Sequence, residues 1–319
     1  MIETYLQGFA NLRTDKGRNR YPAITLHRAP HKPFLLLSVM DMIAQGLITE
    51  NFIEPSFELV DTFNFYWSQI MPPGSKTSMA YPFPRLKTDG FWHLIPNHGH
   101  ENRINMDFSS MTKLREVCGG TRMDDELFQL MCNRETREQL RTVLINTYFA
   151  KELHTVLFEQ GVINYEANEY SKVLLKVAEK IGPFGEDSKK EQRIRDQGFR
   201  KAIINLYNHR CALCGIRMLT PEGHTVVEAA HVVPWSQSQE DSPTNGMALC
   251  RLCHWSFDEG LMSVGKKYEV MVSKRVRLDQ NMPGHILTLT DRLIFKPEPE
   301  TFWPGQENLK WHRDKMFSI

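Results

Sequence analysis

Apolar positions in the first half of the chain recur at helical spacing, and those of the second half recur in shorter runs. Residues 33–46 open on Pro33, carry an apolar stripe and close on Gly46, which predicts a helix. Residues 57–70 are aromatic-rich and also predict a helix, while 71–78, Met-Pro-Pro-Gly-Ser-Lys-Thr-Ser, reads as a loop. Residues 133–161, with polar caps, predict helix broken near Phe149. The stretch 181–190 is rich in Gly, Pro and charge and reads as a linker. A helix over 199–209 then leads to the first of two cysteine pairs. Residues 225–234 are β-branched and end on Pro234, predicting a strand with His231 near its end. A turn-rich loop, 236–244, and a short helix, 250–259, follow. Residues 267–276 and 286–295 alternate as strands do, and 303–313 reads as a packed tail. No internal repeat is visible. Helical runs followed by short strands predict a mixed α+β chain.

Length and composition add limits. A chain of 319 residues, 41% hydrophobic and 24% charged, suggests two globular domains able to bury real cores. It contains no apolar run of 18 residues, and 34–40 is too short to span a bilayer. No basic stretch followed by an apolar core opens the sequence, so no signal peptide is expected and the cytoplasm is the expected compartment. The net charge of +1 excludes a uniformly basic nucleic-acid binder, so phosphate affinity has to come from local patches. One such patch is 193–219, where Arg193, Arg195, Arg200, Lys201, Arg210 and Arg217 stand against Asp196 for a net +5. It reads either as a surface for DNA phosphates or as a solvated helix face.

Four of the six cysteines form two Cys-x-x-Cys pairs, Cys211/Cys214 and Cys250/Cys253, about 35 residues apart. Thiolates three apart in a tight knuckle reach one ion at about 2.3 Å, and two knuckles complete a tetrahedron. The spacing therefore predicts a structural Zn²⁺, closed by four protein ligands and unable to do chemistry itself. Cys118 and Cys132 are left over as buried free thiols. Between and beside the knuckles stand Glu228-Ala-Ala-His231, Asn245-Gly, His254 and Asp258. His254 and Asp258 are four apart on the predicted short helix and so share a face.

This order of residues resembles the HNH endonucleases, whose ββα-metal fold hydrolyses phosphodiester bonds in nucleic acid. The resemblance covers roughly 195–262. It implies that His231 is the general base, an imidazole's ordinary pKa of about 6.5 suiting that work near neutral pH. It implies that Asn245 steadies the loop carrying the base, and that His254 and Asp258 bind a divalent ion, Mg²⁺ or Mn²⁺. Many such enzymes place a metal-binding His or Asp just before the base, where this chain has Ala230. Glu228, on the same strand face, either reaches the ion in its place or is a solvated strand residue.

Upstream, His27-Arg28-Ala-Pro-His31-Lys-Pro and Tyr81-Pro82-Phe83-Pro-Arg85 precede Phe91-Trp-His-Leu. In this position they resemble the DNA sulfur-binding domain of phosphorothioate-dependent type IV restriction endonucleases, over about 1–165. The implied organisation is a helix-rich reader domain at 1–165, a linker region at 166–195 and an HNH domain at 196–319. The implied partner is double-stranded DNA carrying phosphorothioate, with a homodimer as one route to cutting both strands. Sulfur is larger, softer and less hydrated than a phosphate oxygen, so an apolar pocket favours it. Tyr81, Pro82 and Phe83 would form that pocket, with Arg28, His31, Arg85 and Arg103 holding phosphates and base edges. The same segments also read as a loop leading into a helix and as an aromatic core turn. Two other functions stay open: a nuclease reading a modified base or an unmodified sequence, and a zinc-stabilised DNA-binding protein whose nuclease site is degenerate at Ala230.

Overall fold

Twelve consecutive buried residues, Lys32 to Ile43, organise the N-terminal part of the computed structural model, which describes residues 2–176, 188–278 and 281–317. The chain divides into two compact units, Met1–Tyr165 with Thr220–His224, and Glu166–Leu219 with Thr225–Ile319. The first is helix-rich: α1 (Ile2–Ala10), α2 (His31–Ala44), α3 (Phe57–Ile70), α4 (Pro82–Arg85), β1 (Trp92–Pro96), α5 (Met111–Val117), β2 (Cys118–Met123), α6 (Asp125–Cys132), α7 (Arg134–Tyr148) and the start of α8 (Lys151–Lys176).

A helix apolar on all sides must be enclosed, and α2 is packed by α3, α4, α6 and α7. The expected stripe is thus a whole buried surface. Gly46, at φ 71°, takes the left-handed conformation that ends the helical segment. Ser56 caps α3 by accepting from Leu59 N (3.2 Å), and Asn133 caps α7. Phe149, extended at φ −127° and ψ 147°, makes the expected break before α8. Sequence periodicity did not indicate α1, α5, α6 or the antiparallel β1–β2 pair, which are short and flanked by irregular segments.

One charged cluster lies inside this core. Asp41, in mid-α2, accepts from Arg141 Nη2 (2.7 Å), from Tyr66 Oη (2.7 Å) and from Asn164 Nδ2 (2.7 Å). Both ions are almost wholly buried. Such a pair adds little net stability over apolar packing, but either charge left alone is strongly unfavourable.

The second unit contains the rest of α8, then α9 (Lys189–Leu206), β3 (Val227–His231), α10 (Trp235–Ser238), β4 (Gly246–Cys250), α11 (Arg251–Asp258), β5 (Met262–Val264), β6 (Val270–Val272) and α12 (Gln306–Lys315). β3 pairs antiparallel with β4 in a register that sets His231 opposite Gly246 and Val227 opposite Cys250. α11 follows β4 directly, giving a ββα unit. α9 packs on both strands, and Gly246 is the point where Ile203 and Phe199 approach the β4 backbone. α9 in turn crosses α8 closely at Gly198, where a Cβ would lie 2.8 Å from Ala167 O and 2.8 Å from the Tyr170 ring. α12 is fixed by His312, which is buried, stacks on Phe257 at 3.5 Å, and bonds Ser263 Oγ (2.9 Å) and Phe257 O (3.0 Å).

Several expectations change. The proposed linker stretch 181–190 lies outside the described residues as far as 187. Within 166–195, residues 166–176 continue α8, and 189–195 are helical because a capping box of Ser188 and Glu191 starts α9 earlier than its apolar pattern indicates. The strand expected over 267–276 shrinks to Val270–Val272. The strand expected over 286–295 is largely absent: Gly284–Leu289 is a 3₁₀ helix that buries Ile286 and Leu289, three apart, on one side. Cys118 is buried as expected, but Cys132 is exposed at the end of α6.

Replacing Arg141 with Met strands the Asp41 carboxylate. The expected loss is about 3–5 kcal/mol of stability in the first unit, measured as the shift of its denaturant midpoint against wild type. A shift near zero would show that Asp41 is satisfied without Arg141.

Candidate active site

The two cysteine knuckles meet at the base of the ββα unit. Cys211 and Cys214 lie in a turn after α9, closed by Gly215 N donating to Cys211 O (2.9 Å) and fastened by Ala212 N donating to Ala248 O (2.7 Å). Cys250 ends β4 and Cys253 sits in the first turn of α11. The four Sγ atoms lie within 4.8 Å of one another, and Cys214 Sγ is 3.7 Å from Cys250 Sγ. A tetrahedron with metal–sulfur bonds of about 2.3 Å has edges of about 3.8 Å, so the cluster fits one metal ion. The thiols also act on one another. Hydrogen bonding from Cys214 draws Cys211 down to about 7, while Cys211 raises Cys214 and Cys253. Four thiolates this close need a cation to coexist.

Across the hairpin from the cysteines stands the HNH set. Asn245 is fully buried, and its side chain ties the loop after β3 at both ends. Its Oδ1 accepts from Val233 N (2.8 Å), and its Nδ2 donates to Val233 O (3.0 Å) and Glu240 O (3.1 Å). His231 ends β3 just before that loop, and its ring lies flat on Phe199 with centroids 4.0 Å apart. His231 Nε2 bonds Asp241 Oδ1 at 2.8 Å. Asp241 was not singled out by sequence reasoning. It follows Glu240 in a turn-rich loop, where acids are ordinarily solvated, and only the fold shows it buried.

His254 lies between two carboxylates. Its Nδ1 is 3.2 Å from Glu228 Oε2, and its Nε2 is 3.5 Å from Asp258 Oδ2. Glu228 also accepts from Arg251 Nε (3.2 Å), and desolvation raises the Asp258 pKa. A metal ion takes only one imidazole nitrogen, so the two acids flank the ring rather than converge on a point. Among the described residues, only the four cysteines form a group of three or more such donors within 4.8 Å. His254 and Asp258, an imidazole and a carboxylate, suit a divalent cation. Glu228, at the other nitrogen of His254, is where a partner that orients a metal-binding imidazole would stand. Ala230, buried on β3, offers no ligand.

The basic stretch before the knuckles is partly engaged within its own unit. Arg195 stacks on Trp235 at 3.5 Å, Lys201 bonds Asn168 (2.5 Å), Arg210 lies 5.0 Å from the Phe295 ring centroid, and Arg217 donates to Asn208 O (2.8 Å).

In the first unit, the predicted reader residues fall into three groups. Arg28 lies over the Tyr148 ring at 5.8 Å, and His31, opening α2, packs on Trp67 at 4.7 Å. Tyr81 is 46% exposed ahead of α4, and Arg85 donates to Tyr81 O (3.0 Å) and pairs with Asp107 (2.7 Å). Arg103 pairs with Glu116 (2.8 Å). Among the described residues no hydrogen bond, ion pair or ring contact joins the three groups. Pro82 and Phe83 are buried, Phe83 edge-on to Trp92 at 5.5 Å, so Phe83 supports α4 from the core side rather than facing a ligand. Burial lowers the His31 pKa to about 4, so at neutral pH it offers a hydrogen bond and no charge.

Comparison with known proteins supplies two domain matches. Residues 3–163 match the family model for the ScoMcrA-like DNA sulfur-binding domain, and 211–265 match that for an HNH endonuclease. A solved structure described as a modification-dependent TagI restriction endonuclease is similar at 19% identity and a TM-score of 0.28. The match covers 38% of this chain and 38% of that one, too distant a likeness to bear on fold or function. No curated protein matches the sequence. Among the described residues, no helix is long and apolar enough to cross a membrane.

Two outcomes are expected. Cys253→Ser, by opening the four-thiol cluster, will lower the metal bound per chain from one ion to a substoichiometric amount and reduce the melting temperature of the second unit; elemental analysis with calorimetry reads both. For His31, the unfolded chain binds its proton near 6.5 and the folded chain near 4. Its stabilising contribution is therefore complete above pH 6.5 and lost as pH falls toward 4, by about 3 kcal/mol at most. His31→Phe should flatten the pH dependence of unfolding by that amount in that window.

Proposed function

We infer the function from one premise: the chain belongs to the ScoMcrA-like DNA sulfur-binding domain family, whose model spans half of it, and carries an HNH endonuclease domain behind that reader. We propose that it is a modification-dependent restriction endonuclease, which holds phosphorothioated double-stranded DNA through the first unit and hydrolyses a nearby phosphodiester bond with the second. The observation that carries this reading is the presence of both modules in a single chain. The exposed ring of Tyr81 supplies the soft, weakly polar contact that favours sulfur over a charged oxygen, backed by buried Pro82 and Phe83. Arg28, Arg85 and Arg103 hold phosphates and base edges, and the neutral His31 adds a hydrogen bond.

In the nuclease, His231 removes a proton from the attacking water. The water oxygen bonds to phosphorus, the bond from phosphorus to the leaving oxygen breaks, and that oxygen takes a proton from solvent. Asn245 keeps the base in place by fixing both ends of the loop that follows it. His254 and Asp258 would hold a Mg²⁺ or Mn²⁺ ion, which stabilises charge on the phosphate and the leaving group. The cysteine cluster takes Zn²⁺ as a structural ion. One such site cuts one strand at a time, so a double-strand break takes a homodimer or two successive nicks. We propose the cytoplasm as the compartment of this action on DNA.

The test is cleavage of matched plasmids with and without phosphorothioate, in Mg²⁺ and in Mn²⁺. Wild type is expected to cut the marked plasmid alone, and His231→Ala to lower the rate by about 10²–10⁴. Equal cutting of both plasmids would reject the sulfur reading.

A further inference from the structure

Asp241 is a carboxylate with no exposed surface in a loop of an otherwise ordinary kind. A buried acid is expensive unless its oxygens are occupied, and here both are. Oδ1 bonds His231 Nε2 at 2.8 Å; Oδ2 accepts from Tyr170 Oη at 3.1 Å and lies 3.5 Å from Arg195 Nη1. Tyr170 is on α8 and Arg195 on α9, so the two helices behind the hairpin together fix the acid. Arg195 is itself held by Asp196 (2.9 Å) and by the Trp235 ring. The charged and titratable groups around the imidazole thus include Asp241, Arg195, Asp196 and Tyr170.

We propose that Asp241 is the positioning residue of the His231 base, an inference that rests on the nuclease reading above. Phe199, whose ring is 5° from parallel to the imidazole, fixes the ring plane. The bond to Asp241 fixes rotation within that plane. A carboxylate only accepts hydrogen bonds, so Nε2 must carry the proton and Nδ1 keeps its lone pair. Nδ1 is then the atom that takes the proton from water, and the developing imidazolium is stabilised by the buried anion. An asparagine at 241 can turn its amide and donate to Nε2 instead. That selects the opposite tautomer, in which Nδ1 bears hydrogen and cannot act as a base.

The experiment uses the full chain, with metal, on whichever plasmid wild type cuts, and compares wild type with His231→Ala, Asp241→Asn and Asp241→Glu. It reads kcat and KM for cleavage, and the His231 tautomer by ¹⁵N NMR of histidine-labelled protein at mildly alkaline pH, the His231 signals being identified by their loss in His231→Ala. Asp241→Asn is expected to lower kcat at least about a hundredfold with KM unchanged and to convert His231 from the Nε2–H to the Nδ1–H form. Asp241→Glu, which keeps an acceptor, should recover part of kcat and the original tautomer. Undiminished cutting by His231→Ala would reject the base assignment itself. An inactive His231→Ala beside a fully active Asp241→Asn would overturn only the role given to Asp241, as would a slow Asp241→Asn with the wild-type tautomer. If Asp241→Asn fails to fold, wild type alone decides: Nδ1–H at His231 rejects the proposal and Nε2–H supports it.

Discussion

Everything in the second unit depends on four thiols being brought to one place. Its strands are short and only pairwise, and an isolated two-stranded sheet is marginal in water. The cysteine cluster joins the turn after α9 to the end of β4 and the first turn of α11. Once Cys250 is fixed, the antiparallel register places Val227 opposite it and His231 opposite Gly246. Asn245, the residue before β4, is thereby set where its amide closes the loop on Val233 and Glu240. The cysteine cluster thus sets where His231 lies from the other end of the hairpin.

The two units solve the problem of burying charge differently. The first places Asp41 and Arg141 in its main core, where the pair contributes definition more than stability. The second buries Asp241 beside the imidazole and holds it from two helices. In both cases a carboxylate without surface exposure has a tyrosine hydroxyl and an arginine as neighbours.

The sequence was most legible where chemistry imposes short, rigid spacing. Two Cys-x-x-Cys pairs specify their own geometry, and His254 with Asp258 follows from helical period alone. Helices α2, α3 and α7 were legible because their apolar patterns are long. What remained hidden was decided by tertiary packing. Nothing local separates Asp241 from Glu240, yet one is buried against His231 and the other is not. The motif Tyr81 to Arg85 could be identified, but not that Phe83 turns inward onto Trp92. Alternation over 286–295 resembled a strand because Ile286 and Leu289 serve a 3₁₀ turn equally well. Glu228 lay on the expected strand face, but only side-chain geometry brings it to the opposite nitrogen of His254 from Asp258.

The close crossing of α8 and α9 at Gly198 has a consequence for how this protein can be improved. Exchanging a helical glycine for alanine is a standard way to raise thermal tolerance, because it restricts the unfolded chain and favours helix by about 1 kcal/mol. At Gly198 the added methyl would meet the Ala167 carbonyl and the Tyr170 ring, both 2.8 Å away. The ring that would have to yield belongs to the tyrosine whose hydroxyl holds Asp241. That route to a hardier enzyme is therefore closed here, and a library built on helix propensity should leave the position untouched.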